Sequence, residues 1–272
     1  MKEPFQLNQN LLFLTPWMSQ NNQLIAGFTT RNQGYSQKPY DSLNIGLHVG
    51  DSVDDVIKNR QLVAHRLNVS LEQFVFTVQL HTTTVKKVTR ADCGAGISCF
   101  EAGIESCDGL YTTDKNVMLA TFYADCTPLY FYVPSRELIG VAHAGWKGSV
   151  NGMMHQMLQT LKNVEHIDPR DIYVAIGPCI GRDAYRVDDT VINKLKKSHL
   201  DLDDVYVQIS DTQYKLDTKA LNKKQALAEG ILESNILVSS YCTFTDEDLF
   251  FSHRRDKQSG RMMSFMCLNS TH

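Results

Sequence analysis

The 272-residue chain has no Cys-x-x-Cys pair, and its cysteines are an odd seven, scattered from Cys93 to Cys267. In a chain of this size neither a disulfide framework nor a structural zinc knuckle is expected. Positive charge is not in excess: the net charge of −3 gives no overall field to draw the protein to nucleic acid or anionic lipid. The opening "MKEPFQLNQNLLFLTPW" lacks a basic n-region and a small-residue cleavage site, and its short apolar stretch stops at Pro16. No run approaches membrane-spanning length. A cytoplasmic protein with neither nucleic-acid nor membrane partners is expected. Linkers, low-complexity tracts and internal repeats are also missing, so residues 1–272 read as a single domain. What is present is ordinary globular material, 43% hydrophobic and 21% charged, enough to bury a substantial core.

The hydrophobic pattern alternates between helix and strand. "LIAGFTT" (24–30) reads as a strand running into a polar loop. "DSVDDVIKNRQLVAHRLNV" reads as an amphipathic helix, with Ser52 and Asp55 resembling a capping box. "FVFTVQLHTTTVKKV" is β-branched and aromatic and predicts strand on both sides of His81; residues 93–107 read as loop. At the centre, "VMLATFYA", "LYFYV" and "LIGVAHA" are three apolar runs parted by "DCTP" and "PSRE", and their density predicts strands buried on both faces. Met153, Met154, Met157, Leu158 and Leu161 form one helical stripe, read as core. "DIYVAIG" predicts a further strand, "DTVINKLKK" and "DTKALNKKQALAEGI" two helices, and "NILVSS" the last strand. The class is α/β.

His81, Cys126 and His143 share a context, each ending or interrupting a strand beside small or polar residues. Two imidazoles and a thiolate suit a borderline-soft cation, and three protein ligands leave one tetrahedral position open, the pattern of a catalytic zinc site. The same residues also allow Cys126 to be a nucleophile activated by His143, with Asp125 orienting the histidine or assisting proton transfer. Each has a plain alternative too, as a strand histidine, an inert thiol or a hydrogen-bonded core imidazole. His48 and His253 stand in polar loops; His65, His155, His166, His199 and His272 read as solvated or packing residues. Arg31, Lys147, Arg254 and Arg255 are candidate anion binders, guanidinium matching phosphate by its fork. Trp146 could stack on a planar base or simply pack between strand and helix.

The segments "GFTTRNQGYS", "DSLNIGLHVGD", "KNR", "QLHTTTV", "CDGLYTT", "ADCTPLYFY", "GVAHAGWKG", "IGPCIGRDAY" and "FFSHRRDKQSGR" run in order over nearly the whole chain. Together they resemble the bacterial family known as multicopper polyphenol oxidases or laccases, which includes a purine nucleoside phosphorylase of broad specificity. The resemblance implies a zinc (Zn2+) site of His81, Cys126 and His143. It also implies central β-sheets flanked by helices, similar to the catalytic domain of a deamidating bacterial toxin, a cysteine-hydrolase fold. Implied activities are phosphorolysis of adenosine, inosine, guanosine and methylthioadenosine, and deamination of adenosine. Departures are mild: "QLH" replaces "QVH", and His253 stands where many relatives carry tyrosine.

Chemistry limits what this resemblance can mean. A multicopper oxidase needs a trinuclear cluster and a separate electron-entry copper, supplied largely by paired His-x-His motifs; nine histidines with no such pair leave the ligands lacking. Zinc base deaminases use a His-x-Glu and Pro-Cys-x-x-Cys signature, and "GPCIG" supplies only one cysteine. For phosphorolysis, Arg31 is the first expectation for phosphate or ribose, with Asn44, Trp146 and Lys147 as further substrate contacts. For deamination, where that signature is absent, Asp125 is the candidate acid/base partner. Three function classes follow: a zinc-dependent purine nucleoside phosphorylase and deaminase, a Cys-His hydrolase or amidase, and a binding protein whose metal is structural.

Overall fold

The fold is described from a computed structural model for residues 2–198 and 200–270, so His199 and His272 lie outside the described residues. In chain order the elements are β1 (Phe5–Asn8), β2 (Leu11–Leu14), α1 (Thr15–Met18), β3 (Leu24–Thr29), α2 (Val53–Arg66), β4 (Phe74–Phe76), β5 (Val85–Lys87), β6 (Gly109–Thr112) and β7 (Met118–Tyr123). There follow β8 (Thr127–Val133), β9 (Leu138–Ala144), α3 (Trp146–Val150), α4 (Met153–Asn163), β10 (Tyr173–Ile176), β11 (Arg186–Asp188) and α5 (Asp189–Leu195). The chain ends with β12 (Tyr206–Gln208), β13 (Gln213–Leu216), α6 (Thr218–Ala228), β14 (Ile236–Val238) and β15 (Met262–Leu268).

Two six-stranded sheets carry the architecture, ordered β1-β2-β3-β15-β7-β4 and β14-β10-β8-β9-β6-β5. The two-residue period of a strand sorts their side chains. Leu119 and Tyr123 of β7, Met262 and Met266 of β15, Tyr130 and Tyr132 of β8, and Ile139 and Val141 of β9 meet in one core between the sheets. The alternate residues face outward. Met118, Ala120 and Phe122 pack with Met263 and Phe265 against Val63 and Ala64 of α2. On the other side, Leu129, Phe131 and Val133 pack under Met153, Met154, Met157 and Leu161 of α4. The result is the expected mixed α/β arrangement of central sheets with helices outside. Because both faces are covered, the central strands carry unbroken apolar runs. A smaller sheet, β11-β13-β12, packs with α5 around Ile192 and Leu216 beside this body.

Strand stands on both sides of His81, as β4 and β5, but stops short of the histidine, and residues 77–84 form a loop between them. "NILVSS" is not the last strand: β15 follows it and lies in the middle of its sheet, pairing with both β3 and β7. Pro16, where the opening apolar stretch stops, sits in the first turn of α1, where its missing N–H costs nothing. Ser52 does cap α2, its side chain accepting from the Asp55 N–H.

The connections matter most. The chain leaves the first sheet for the second twice: from β4 to β5 through residues 77–84, and from β7 to β8 through Ala124, Asp125 and Cys126. His81 and Cys126 ride on these two crossings.

Candidate active site and metal centre

His143 is the penultimate residue of β9 and shares its inward face with Ile139 and Val141, so the strand's own alternation aims it between the sheets; it is 2% exposed. Cys126 precedes β8, which pairs with β9 so that Thr127 lies opposite Ala144 and Pro128 opposite His143. The hairpin therefore brings cysteine and histidine together. His81 arrives from the other crossing, and its ring stands edge-on to His143 with centroids 4.8 Å apart. The ligand atoms of His81, Cys126 and His143 all lie within 4.8 Å of one another. His81 and Asp125 hold positive φ, at 59° and 86°, backbone conformations that non-glycine residues adopt only when their surroundings hold them there.

Asp108, just ahead of β6, does that holding for His81. Its carboxylate is fully buried and accepts from the backbone N–H of Leu80, His81 and Thr82 and from the Thr82 hydroxyl at 2.8–3.2 Å. It also meets His143 Nδ1 at 2.8 Å. One carboxylate thus shapes the loop under His81 and leaves His143 Nε2 free to face the cluster, the familiar support of a metal-binding imidazole. Burial works against its charge, but the bonds from His143 and Thr82 prevail and hold its pKa below the ordinary value.

Cys126 and His143 form a coupled pair. Burial would raise the thiol, but the neighbouring His143 and then His81 outweigh it and bring the pKa down to about 6. Burial would likewise lower His143, yet Cys126 and Asp108 raise it to about 9. Without a metal, the pair at neutral pH is thiolate and imidazolium sharing one titratable proton. Gly145 keeps the site open: a Cβ there would sit 3.0 Å from Cys126 Sγ and 3.0 Å from His81 Cδ2.

Two clefts meet at the cluster. The larger, about 420 Å³, carries Asp125, Trp146, Lys147, Tyr185, Arg254 and Lys257; the smaller, about 280 Å³, carries His48, Gln79, Phe100, Phe122, His143 and Arg261. His81, Ala124, Cys126 and His253 line both. Of the residues expected from sequence, His81, Cys126, His143, Asp125, Trp146 and Lys147 are brought together. Asp125 has little to spare for proton transfer, because its oxygens accept from the Thr243 and Ser252 hydroxyls and the Arg254 N–H at 2.7–3.0 Å.

Arg31 and Asn44 are not brought to either cleft. Arg31 donates to the carbonyls of Asp41 and Glu247 and lies over Phe251. Asn44 is fully buried, its amide joined to Gly46, Asp51 and the Arg261 N–H. Arg255 is likewise spent on the carbonyls of Thr243, Phe244 and Phe250. Asp108, Phe100, Lys257 and Arg261 were missed. Asp108 and Arg261 stand inside "CDGLYTT" and "FFSHRRDKQSGR", where a titratable residue next to small ones was the available signal.

The sequence profile of the family described as "Multi-copper polyphenol oxidoreductase laccase" matches residues 25–269. The chain belongs to this family. Its relatives include a protein of Bacillus subtilis named purine nucleoside phosphorylase YlmD, 44% identical over 268 residues that cover 97% of this chain and 96% of the relative. A protein of the same name from Geobacillus stearothermophilus is 45% identical, covering 89% of each chain. The crystal structure of the hypothetical protein YfiH of Bacillus licheniformis superposes with a TM-score of 0.95 at 43% identity, over 98% of this chain and 99% of the other. A Neisseria meningitidis structure, NMB0706, matches at 0.79 and 29% identity, over 91% and 95%.

The family's name implies several coppers, and the donor set does not fit them. Among the described residues, His81, Cys126 and His143 are the one group of three or more such side chains able to hold a metal. That is a site for one ion. For a single ion the donor set fits: two imidazoles and one thiolate, their ligand atoms within 4.8 Å of one another, are ligand types that a tetrahedral zinc site uses.

Proposed function

We propose that the protein is a zinc-dependent purine nucleoside phosphorylase. The observation that carries this reading is the open His81–Cys126–His143 group at the junction of two clefts. Relatives named purine nucleoside phosphorylase, spanning almost the whole chain, supply the reaction class. Two nitrogens and one thiolate favour zinc over harder cations, and an open fourth position marks a catalytic rather than a structural site. When bound there, zinc would act as a Lewis acid toward oxygen or nitrogen of the substrate.

The chain's own residues do the rest. Phosphate oxygen attacks C1′ of the ribose, the C1′–N9 bond breaks with its electron pair going to the base, and the proton of HPO₄²⁻ ends on the purine. Nothing is oxidised. Lys147, Arg254 and Lys257 gather positive charge along the larger cleft, the environment an entering phosphate requires. Arg254 is positioned by Asp125, whose part is to shape this wall. These residues take over the anion role first expected of Arg31. Holding both reactants in line across the cluster removes much of the entropic part of the barrier.

Adenosine, inosine, guanosine and methylthioadenosine are the proposed nucleosides, and adenosine deamination is a proposed side activity at the same centre. Seven free thiols support a reducing, cytoplasmic setting, and no described helix is long and apolar enough to cross a membrane. The test is incubation with adenosine and phosphate, with and without a chelator. Chelator-sensitive adenine and ribose-1-phosphate support the reading; inosine alone would replace phosphorolysis by deamination.

A second reading rests on one observation of its own. Cys126, His143 and Asp108 form a thiolate–imidazolium–carboxylate series, the relation used by Cys-His hydrolases, in keeping with the toxin-like cysteine-hydrolase fold expected from the family resemblance. It leaves His81, a second imidazole facing the same sulfur, without a role. Labelling of Cys126 by a thiol-reactive probe at neutral pH, with activity that survives chelation, would favour it.

A further inference from the structure

The two clefts differ in chemistry. The larger is cationic, and the one carboxylate among its lining side chains, Asp125, is already engaged by three donors. The smaller has flat walls: the rings of His48 and Phe100 lie 4.6 Å apart, and Phe122 flanks His48 at 5.5 Å. Its cation is Arg261, whose Nη1 donates to the carbonyls of Ser259 and Gly260. Nε and Nη2 of Arg261 have no acceptor among the described residues.

These walls are built rather than incidental. Arg60 is 1% exposed and makes no ion pair among the described residues. Its guanidinium donates to the Ile45 carbonyl from Nε and Nη2, and to the Gly96 and Ile97 carbonyls from Nη1, at 2.5–3.0 Å. It also lies 4.1 Å from the Phe76 ring centre and 5.3 Å from that of Phe122. Ile45 leads into His48, and Ile97 into Phe100. One buried cation therefore pins all three aromatic walls, a costly device that preorganises a surface for a flat ligand.

We propose, resting on the phosphorylase reading, that the smaller cleft seats the purine base and that Arg261 faces the departing ring. Aromatic faces stack on a purine, and guanidinium donors match the N7 and O6 acceptors of a 6-oxopurine. With the base there and the ribose across the cluster, C1′ turns its opposite face to the cationic cleft, so phosphate enters in line with the leaving group. As the C1′–N9 pair moves onto the ring, Arg261 meets the negative charge that develops; it binds and does not itself give up a proton. Arg60 is then a positioning residue, and Trp146 belongs to the phosphate side rather than to the base.

The experiment uses the zinc-loaded protein and two variants. Phe100→Ala should raise KM for inosine about tenfold, leave KM for phosphate unchanged, and weaken hypoxanthine binding in calorimetry by the same factor. Arg261→Met should slow inosine phosphorolysis by about 10²–10³, the usual cost of losing a donor to developing negative charge. It should slow 7-methylinosine far less, because that base leaves already neutralised. Equal losses on the two nucleosides, or a Phe100→Ala variant that binds hypoxanthine like the wild type, would overturn the proposal while leaving the phosphorylase reading intact. If the wild type turns over no nucleoside, that reading fails. Hypoxanthine binding lost in Phe100→Ala would then still support the base site, and absence of base binding by the wild type would overturn it.

Discussion

Replacing Asp108 by asparagine changes one atom and disturbs two of the three proposed ligands. Oδ2 of Asp108 accepts from Leu80 N, Thr82 N and Thr82 Oγ1; Oδ1 accepts from His81 N and His143 Nδ1. The amide keeps one acceptor and turns the other position into a donor facing donors. Its less damaging orientation still loses the bonds from His81 and His143. At about 1.5–3 kcal/mol for each hydrogen bond to a charged group, the expected loss of stability is roughly 3–5 kcal/mol, the range for breaking a buried charged pair. Urea denaturation of metal-free protein measures this as a lower midpoint at unchanged slope. Zinc affinity should fall about 10–100-fold, as when other ligand-orienting partners are removed, read by competition with a chromophoric chelator. An Asp108→Asn protein with wild-type midpoint and zinc affinity within about threefold would refute the placing of both imidazoles by this carboxylate.

Three further outcomes follow from the same geometry. Gly145→Ala introduces a Cβ 3.0 Å from Cys126 Sγ; it should lower zinc affinity at least tenfold with a stability cost of about 1–3 kcal/mol, and an unchanged affinity would show that the cluster has slack. Metal binding must expel the proton that Cys126 and His143 share between about pH 6 and about 9. Zinc affinity should therefore rise about tenfold per pH unit across that window and fall more steeply below it, where a second proton must leave; calorimetry in buffers of different ionisation enthalpy counts the protons, and a flat profile would contradict the pairing. Asp125→Asn should loosen Arg254 and raise KM for phosphate about tenfold with little change for nucleoside, whereas a loss confined to kcat with a shifted pH profile would restore Asp125 as the acid/base group.

The sequence made the β8–β9 hairpin legible, because two apolar runs flank a good turn and place a cysteine and a histidine at one end. Its strand period even sets the face on which His143 falls. The loop carrying His81 was harder to read: its β-branched residues look like strand, but Asp108 gathers the N–H groups of residues 80–82 and bends the chain there. That carboxylate carried only a weak signal, because an aspartate before glycine is also ordinary turn chemistry. β15 escaped because "RMMSFMCL" has no β-branched residue, and its place comes from pairing on both edges rather than from local preference. Arg31 and Asn44 have the right chemistry for a ligand but are spent on neighbouring backbone and side-chain groups, a distinction only tertiary contacts reveal.

The central claim is a metal ion held by two imidazoles and a thiolate at the seam between two sheets. It is tested most directly by elemental analysis of the purified wild type and Cys126→Ser, with inosine phosphorolysis assayed on the same samples. The account predicts about one zinc per chain in the wild type and a joint loss of zinc and of ribose-1-phosphate formation in the variant. Retention of either one by Cys126→Ser, or a wild type active without metal, would contradict it.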